Sequence, residues 1–146
     1  MNNNIIFGFF RELFITEQLV RNKTDRTLPG DMTTSQFALL THLIRSGQSQ
    51  TPAELANAFQ VKRPTMTNTI QKLELKGFVT LTTDTHDRRS KWVQITKRGI
   101  KAHDEALQSL MTQFAPMIDD LGTQIFADCL SELQKIRHYL DTNSRE

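Results

Sequence analysis

The run TPAELANAFQVKRPTMTNTIQKLELKGFVTLTTDTHDRRSKWVQIT, residues 51–96, decides the fold. It opens on Thr51-Pro52-Ala53-Glu54, which sets out a capping hydroxyl, a proline at the first helical position and a glutamate placed to complete a capping box. Leu55, Ala56 and Phe59 supply the inward face of a short helix. After Gln60-Val61-Lys62 a second helix is expected from Arg63-Pro64 to Lys76, closed by Gly77, with Met66, Ile70 and Leu73 as its apolar stripe. The period then drops from 3.6 to 2. Val79, Leu81 and Thr83 alternate with Thr80 and Thr82, and Val93 and Ile95 alternate with Trp92, Gln94 and Thr96. Between them Asp84-Thr85-His86-Asp87-Arg88-Arg89-Ser90-Lys91 is polar and turn-rich, which predicts a hairpin with a long basic tip. Such a ribbon is marginal alone and must lean on the helices beside it. Two helices joined by a tight turn and followed by a hairpin make a winged helix-turn-helix.

Helices flank this unit on both sides. Upstream, Thr33 and Gln36 predict another capping box, Phe37, Leu40, Leu43 and Ile44 the buried stripe that follows, and Gly47 the stop. Residues 5–21 read as an amphipathic helix through Ile6, Phe9, Phe10, Leu13, Phe14 and Val20. Downstream, Thr96 should cap a long helix beginning Lys97-Arg98-Gly99. Pro116 is expected to break or kink it, and Asp119-Asp120 suits the acidic start of a final helix. That helix repeats Ile118, Leu121, Ile125, Phe126, Cys129, Leu133, Ile136 and Leu140 at helical spacing. The fold class is therefore mainly α with a small β-hairpin wing, read as one domain over residues 1–146. Residues 33–99 would form the winged helix-turn-helix region, and residues 1–30 and 100–146 a helical dimerisation region. Ile6, Phe9, Phe10, Leu13, Ile125, Phe126, Leu133, Ile136 and Leu140 are the expected dimer contacts, because so small a winged helix cannot cover two long apolar helices. The alternative is a monomer with both helices folded back.

Composition narrows the function classes. At 146 residues, 38% hydrophobic and 23% charged, the chain reads as a soluble globular protein and not a disordered tail. Ile5-Ile6-Phe7-Gly8-Phe9-Phe10 is too short to span a bilayer and lacks the basic leader of a secretory signal. One cysteine makes no intrachain disulfide, so a reducing cytoplasm is the expected compartment. The net charge of +2 hides a strong asymmetry. Residues 1–59 balance five basic against five acidic groups, residues 60–101 set ten against three, and residues 102–146 set three against eight. The basic block coincides with the winged helix, where it suggests a polyanion-binding face.

The chemistry of that block suits duplex DNA. Asn68 and Gln71 carry amides that can pair with adenine N6 and N7 in the major groove, and Thr67 offers a hydroxyl and a methyl for base edges. Thr65 either touches DNA or caps its helix. Lys62, Arg63 and Lys72 flank the helix where phosphates would lie, and Arg88, Arg89 and Lys91 project from the wing. Asp87 would be repelled by phosphate and is expected to brace the wing by pairing with a nearby cation.

From Arg63-Pro64-Thr65, through Leu73-Glu74-Leu75-Lys76-Gly77-Phe78-Val79 and Asp87-Arg88-Arg89-Ser90-Lys91, to Ile95-Thr96-Lys97-Arg98-Gly99, the sequence resembles MarR-family transcriptional regulators along essentially its whole length. The resemblance implies a homodimer with interleaved terminal helices and one winged helix per subunit on duplex DNA. It also implies regulation, usually repression, relieved in many members by a small aromatic or anionic effector and in some by thiol oxidation. Arg89 matches the family arginine that enters the minor groove. Asn68, Gln71 and Lys72 stand where arginine, aspartate and arginine are frequent, and Thr80, Thr82 and Thr83 where an arginine is usual. Base preference and wing bracing should therefore differ from the common pattern. Two recognition helices related by a two-fold axis would read a pseudo-palindrome with half-sites about 10 bp apart.

Rival chemistries find less support. No Gly-rich phosphate loop, nucleophile elbow or metalloprotease helix occurs, and the consecutive His103-Asp104-Glu105 point in different directions on a helix. No enzyme, metal or cofactor is expected. Phe10, Arg11, Phe14, Phe37 and His42 could line an effector pocket, or be plain core. Cys129 reads as a small packing residue on an apolar stripe, with redox sensing as the alternative; Asp128 beside it opposes a thiolate. A protein-binding winged helix that docks an acidic partner also fits the charge. The amide- and hydroxyl-rich helix face favours DNA over that reading.

Overall fold

A computed structural model describes residues 2–143. The order is α1 (Asn3–Thr27), α2 (Thr34–Ser46), α3 (Pro52–Ala58), α4 (Arg63–Leu75), β1 (Val79–Thr83), β2 (Lys91–Ile95), α5 (Lys97–Leu121) and α6 (Thr123–Asn143). The chain divides after Leu110 into two compact units, the boundary falling within α5. The fold is mainly helical with one two-stranded antiparallel wing, as the sequence predicts. No helix among the described residues is long and apolar enough to cross a membrane.

In the first unit the core is the winged helix. Leu39, Leu40 and Leu43 of α2, Leu55 of α3, Met66, Ile70 and Leu73 of α4, and Val79 and Val93 of the wing are all buried. The predicted spacing of α4 explains its part: Met66, Ile70 and Leu73 fall on one stripe, and Thr65, Thr67, Asn68, Gln71 and Lys72 are left exposed. Strand register places Leu81 opposite Val93 and Thr82 opposite Trp92. Gln50 adds a bridge to the outer edge of β2, exchanging backbone hydrogen bonds of 3.3 and 2.8 Å with Val93.

Helix ends follow the capping logic with instructive departures. At α3 both halves of the capping box form: Thr51 Oγ1 accepts from the Glu54 amide at 3.2 Å, and Glu54 accepts from the Thr51 amide at 2.9 Å. At α2 only half forms. Thr33 accepts from the Gln36 amide, but the buried Gln36 side chain instead accepts from Lys76 Nζ at 2.8 Å, a stronger charge-assisted bond. Asp25 of α1 takes a further role at the start of α2, accepting from the Thr34 amide and hydroxyl at 2.7 and 2.6 Å. The first helix also extends past residue 21 to Thr27.

Pro116 does not end its helix; α5 runs through it to Leu121. The break comes at Gly122, left-handed at φ 77°, whose amide donates to Ile118 O at 2.9 Å. A proline inside a helix removes one donor, whereas a left-handed glycine turns the chain away. Asp119 and Asp120 therefore lie in the last turn of α5 and not at the start of α6.

Candidate nucleic-acid interface

The turn between α3 and α4 is tight because the chain folds back on α3: Gln60 and Val61 amides donate to Asn57 O and Ala56 O at 3.1 and 3.0 Å. Gln60 takes a left-handed φ of 51° to do so, and its side-chain amide donates to Asn57 O at 2.7 Å. At the far end of α4, Gly77 turns left-handed at φ 73°, and the Gly77 and Phe78 amides donate to Glu74 O and Leu73 O, each at 2.9 Å. Thr96 locks this end to α5. Its hydroxyl donates to Gly77 O at 2.7 Å and accepts from the Gly99 amide at 3.0 Å. Gly99 has to be a glycine, since a Cβ there would stand 2.1 Å from Phe78 O. Lys-Gly before the wing and Thr-x-x-Gly after it are thus two halves of one joint that fixes α4 in the unit.

On the outer face of that frame, Lys62, Arg63, Thr65, Thr67, Asn68, Gln71 and Lys72 are all exposed. The side chains of Thr65, Thr67, Asn68 and Gln71 make no hydrogen bond among the described residues, so their polar groups are free for a ligand. Arg88, Arg89 and Lys91 are exposed on the wing. A notch of about 270 Å³ brings the two sets together: Arg63 and Thr67 of α4 and Arg89, Ser90 and Lys91 of the wing line it with Thr51, Pro52 and Ala53. Its lining holds three cations and no carboxylate.

The wing is held internally. Asp87 Oδ1 accepts from the Arg89 amide at 2.9 Å, and the Ser90 amide donates to Asp87 O at 3.0 Å. The Asp87 carboxylate thus works through one backbone donor, and no cation pairs with it among the described residues. Sequence reasoning passed over Asp84. Its Oδ1 accepts from the His86 amide at 2.8 Å and its Oδ2 from Trp92 Nε1 at 3.2 Å, which together hold its carboxyl below the usual carboxylate range. The available signal was two aspartates three residues apart in a loop, each able to close a turn on the amide two residues ahead.

Lys76 ties the end of α4 to the turn before α2. Its Nζ lies 2.8 Å from Asp31 Oδ1 and also donates to Asp31 O and Gln36 Oε1. The Lys76 ammonium, by hydrogen bond and by charge, holds the Asp31 carboxyl below its ordinary range.

The residues considered for an effector pocket fall into separate settings. Phe10 stacks on Phe14 along α1, with Arg11 beside Glu12 at 3.8 Å. Phe37 stacks on the buried His103, whose Nε2 lies 3.1 Å from Thr41 Oγ1 and whose Nδ1 lies 3.1 Å from Asp104 Oδ1. His42 Nε2 meets Gln50 Oε1 at 2.7 Å and the ring abuts Phe59. The notch and two further cavities, one beside Gly47 and one beside Lys76, are lined by none of the five. No group of three or more His, Cys, Asp or Glu among the described residues could hold a metal ion. Cys129 is exposed on α6.

A sequence model described as the MarR family matches residues 30–90, from the turn before α2 to the tip of the wing. Over these residues, under half of the chain, the sequence is similar to that family, and the structure there is a winged helix-turn-helix. The fold of the whole is that of MarR-family transcriptional regulators of known structure. The transcriptional regulator BldR from Sulfolobus solfataricus is 23% identical with a TM-score of 0.83, over 95% of this chain and 99% of its own. A mutant of MarR from E. coli, solved with operator DNA, is 23% identical with a TM-score of 0.76, over 93% and 98%. The organohalide-sensing regulator RdhR, solved with 2,4-dichlorophenol, is 17% identical with a TM-score of 0.80, over 94% and 82%.

Proposed function

We propose that this MarR-type protein is a sequence-specific regulator of transcription that binds duplex DNA as a homodimer. The observation that carries the reading is the cationic notch between α4 and the wing, set beside the uncommitted amides and hydroxyls of Asn68, Gln71, Thr67 and Thr65. Cations bind the phosphate backbone without regard to sequence, and the amides give base choice. Arg63 at the start of α4 and Arg89 on the wing would straddle one strand, with Asn68 and Gln71 directed to base edges. The fold shared with MarR bound to operator DNA supports the same placement.

The homodimer rests on exposed apolar surface in each unit taken alone. In α1 only Thr24 is buried, and Phe7 and Phe14 are 74% and 69% exposed. In α6 no residue is buried; Ile125, Phe126, Leu133 and Leu140 are exposed and Ile136 half-buried. Contiguous apolar area on this scale marks an association surface, and isologous pairing of two copies is the commonest way to close one.

The test is fluorescence anisotropy on the duplex upstream of the protein's own gene, against scrambled competitor, at several salt concentrations. Selective binding that weakens steeply with salt, and weakens again in Asn68→Ala and Arg89→Ala, supports the reading. Equal affinity for both duplexes, repeated on duplexes selected from genomic fragments, would reject it in favour of an acidic protein partner for the basic face.

A further inference from the structure

Trp92 is the one tryptophan of the chain, and it lies off the core-facing side of the wing. Val93 points into the core and Trp92, opposite Thr82, lies on the other face of the ribbon, half-buried. Its indole N–H crosses the mouth of the wing to Asp84 Oδ2 at 3.2 Å. Strand pairing ends at Thr83 and Lys91, so this bond sits where the ladder stops. From there a chain of bonds runs outward. The Asp84 amide donates to Ser90 O at 2.9 Å, the Ser90 amide to Asp87 O, and the Arg89 amide to Asp87 Oδ1, while Asp84 Oδ1 takes the His86 amide. The backbone that carries Arg89 is thereby referred back to Asp84.

We infer that Asp84 and Trp92 form a clasp across the base of the wing that fixes where Arg89 stands, which makes both positioning residues for DNA binding. This rests on the DNA-binding reading above. Without the clasp the loop keeps its cations and loses its single arrangement, so Arg89 can no longer be presented to a groove without first being ordered. The strand ladder and the helical core are untouched by it. Loss of the clasp should therefore leave the fold intact and act on DNA binding alone.

The free protein gives the first measurement. In Asp84→Ala, acrylamide quenching of the Trp92 emission should rise about twofold and amide exchange at His86 should quicken about tenfold, with the thermal unfolding of the helices unchanged. The second measurement is a double-mutant cycle on an alternating A·T duplex at low salt. Arg89→Ala should weaken binding about tenfold in the wild-type background and by less than about twofold in Asp84→Ala. Trp92→Phe, which removes the N–H and keeps a ring, should reproduce the reduced effect. An Arg89→Ala loss of equal size in all backgrounds overturns the inference, as does unchanged quenching and exchange in Asp84→Ala. Should the wild type bind no duplex, the DNA reading falls, and with it the positioning role; quenching and exchange then still decide whether the clasp exists.

Discussion

The winged helix and α6 are both rich in large apolar residues, yet they treat them in opposite ways. Between Leu39 and Val93 seven large side chains are sealed from solvent, contributed by three helices and both strands. In α6 the apolar positions recur at the spacing of an amphipathic helix, and none is buried. The difference is one of partners. Residues inside the winged helix find one another within about sixty positions of the chain, whereas the face of α6 has no equivalent within its unit. A patterned surface left open within its unit fits the association proposed above, and the polar groups outside the sealed core are those we propose for base reading.

Four experiments would break or sharpen that contrast. The largest effect is expected from Gly99→Ala, which puts a methyl within 2.1 Å of a backbone oxygen. Neither α5 nor the end of α4 can withdraw without losing the Thr96 joint, so urea unfolding should show a loss of about 3 kcal/mol. A loss below about 1 kcal/mol would mean that the joint gives. Phe126→Asp on the open face should do the reverse. Sedimentation should show self-association weakened about a hundredfold, with the winged helix retaining its helical signal. An unchanged mass would remove the dimer surface from α6.

The next experiment separates base reading from phosphate binding within the winged helix. Asn68→Ala should cost about 1–3 kcal/mol on the selected duplex and little on a scrambled one. Arg63→Ala should weaken both and reduce the salt slope by about one. Identical losses on the two duplexes in Asn68→Ala would place base readout elsewhere.

The smallest effect concerns acid. The Asp84 carboxyl is held below its ordinary value by the His86 amide and the Trp92 indole. A depressed carboxylate contributes its stabilisation in full above the unfolded value near 3.8 and loses it as pH falls through the folded value. Trp92 emission should therefore be flat across neutral pH and change only in that acid range, and Asp84→Asn should abolish the change. Asp31 beside Lys76 follows the same sign, which a stability comparison of Asp31→Asn with wild type over the same range would read.

Much of this was legible before any coordinates. The capping box at Thr51, the Met66-Ile70-Leu73 stripe and the shift of period at Val79 are local signals, and the elements obey them because each depends on residues only a few positions apart. The exposed face of α4 follows from the same periodicity. Reading failed where distant groups compete. Gln36 abandons its capping box because Lys76, forty residues on, offers a stronger bond. Pro116 is absorbed by a helix that Gly122 ends.

By itself, then, the sequence determined the order of elements, the basic block and the candidate base-reading side chains, since periodicity, capping and charge are properties of neighbours along the chain. Tertiary structure alone decided that Arg63 and Arg89 share one notch, that Asp84 reaches Trp92 across the wing, and that Gly99 must leave room for Phe78 O. Those are meetings between residues 8 to 26 positions apart, fixed by how α4, the wing and α5 pack, and no local pattern encodes them.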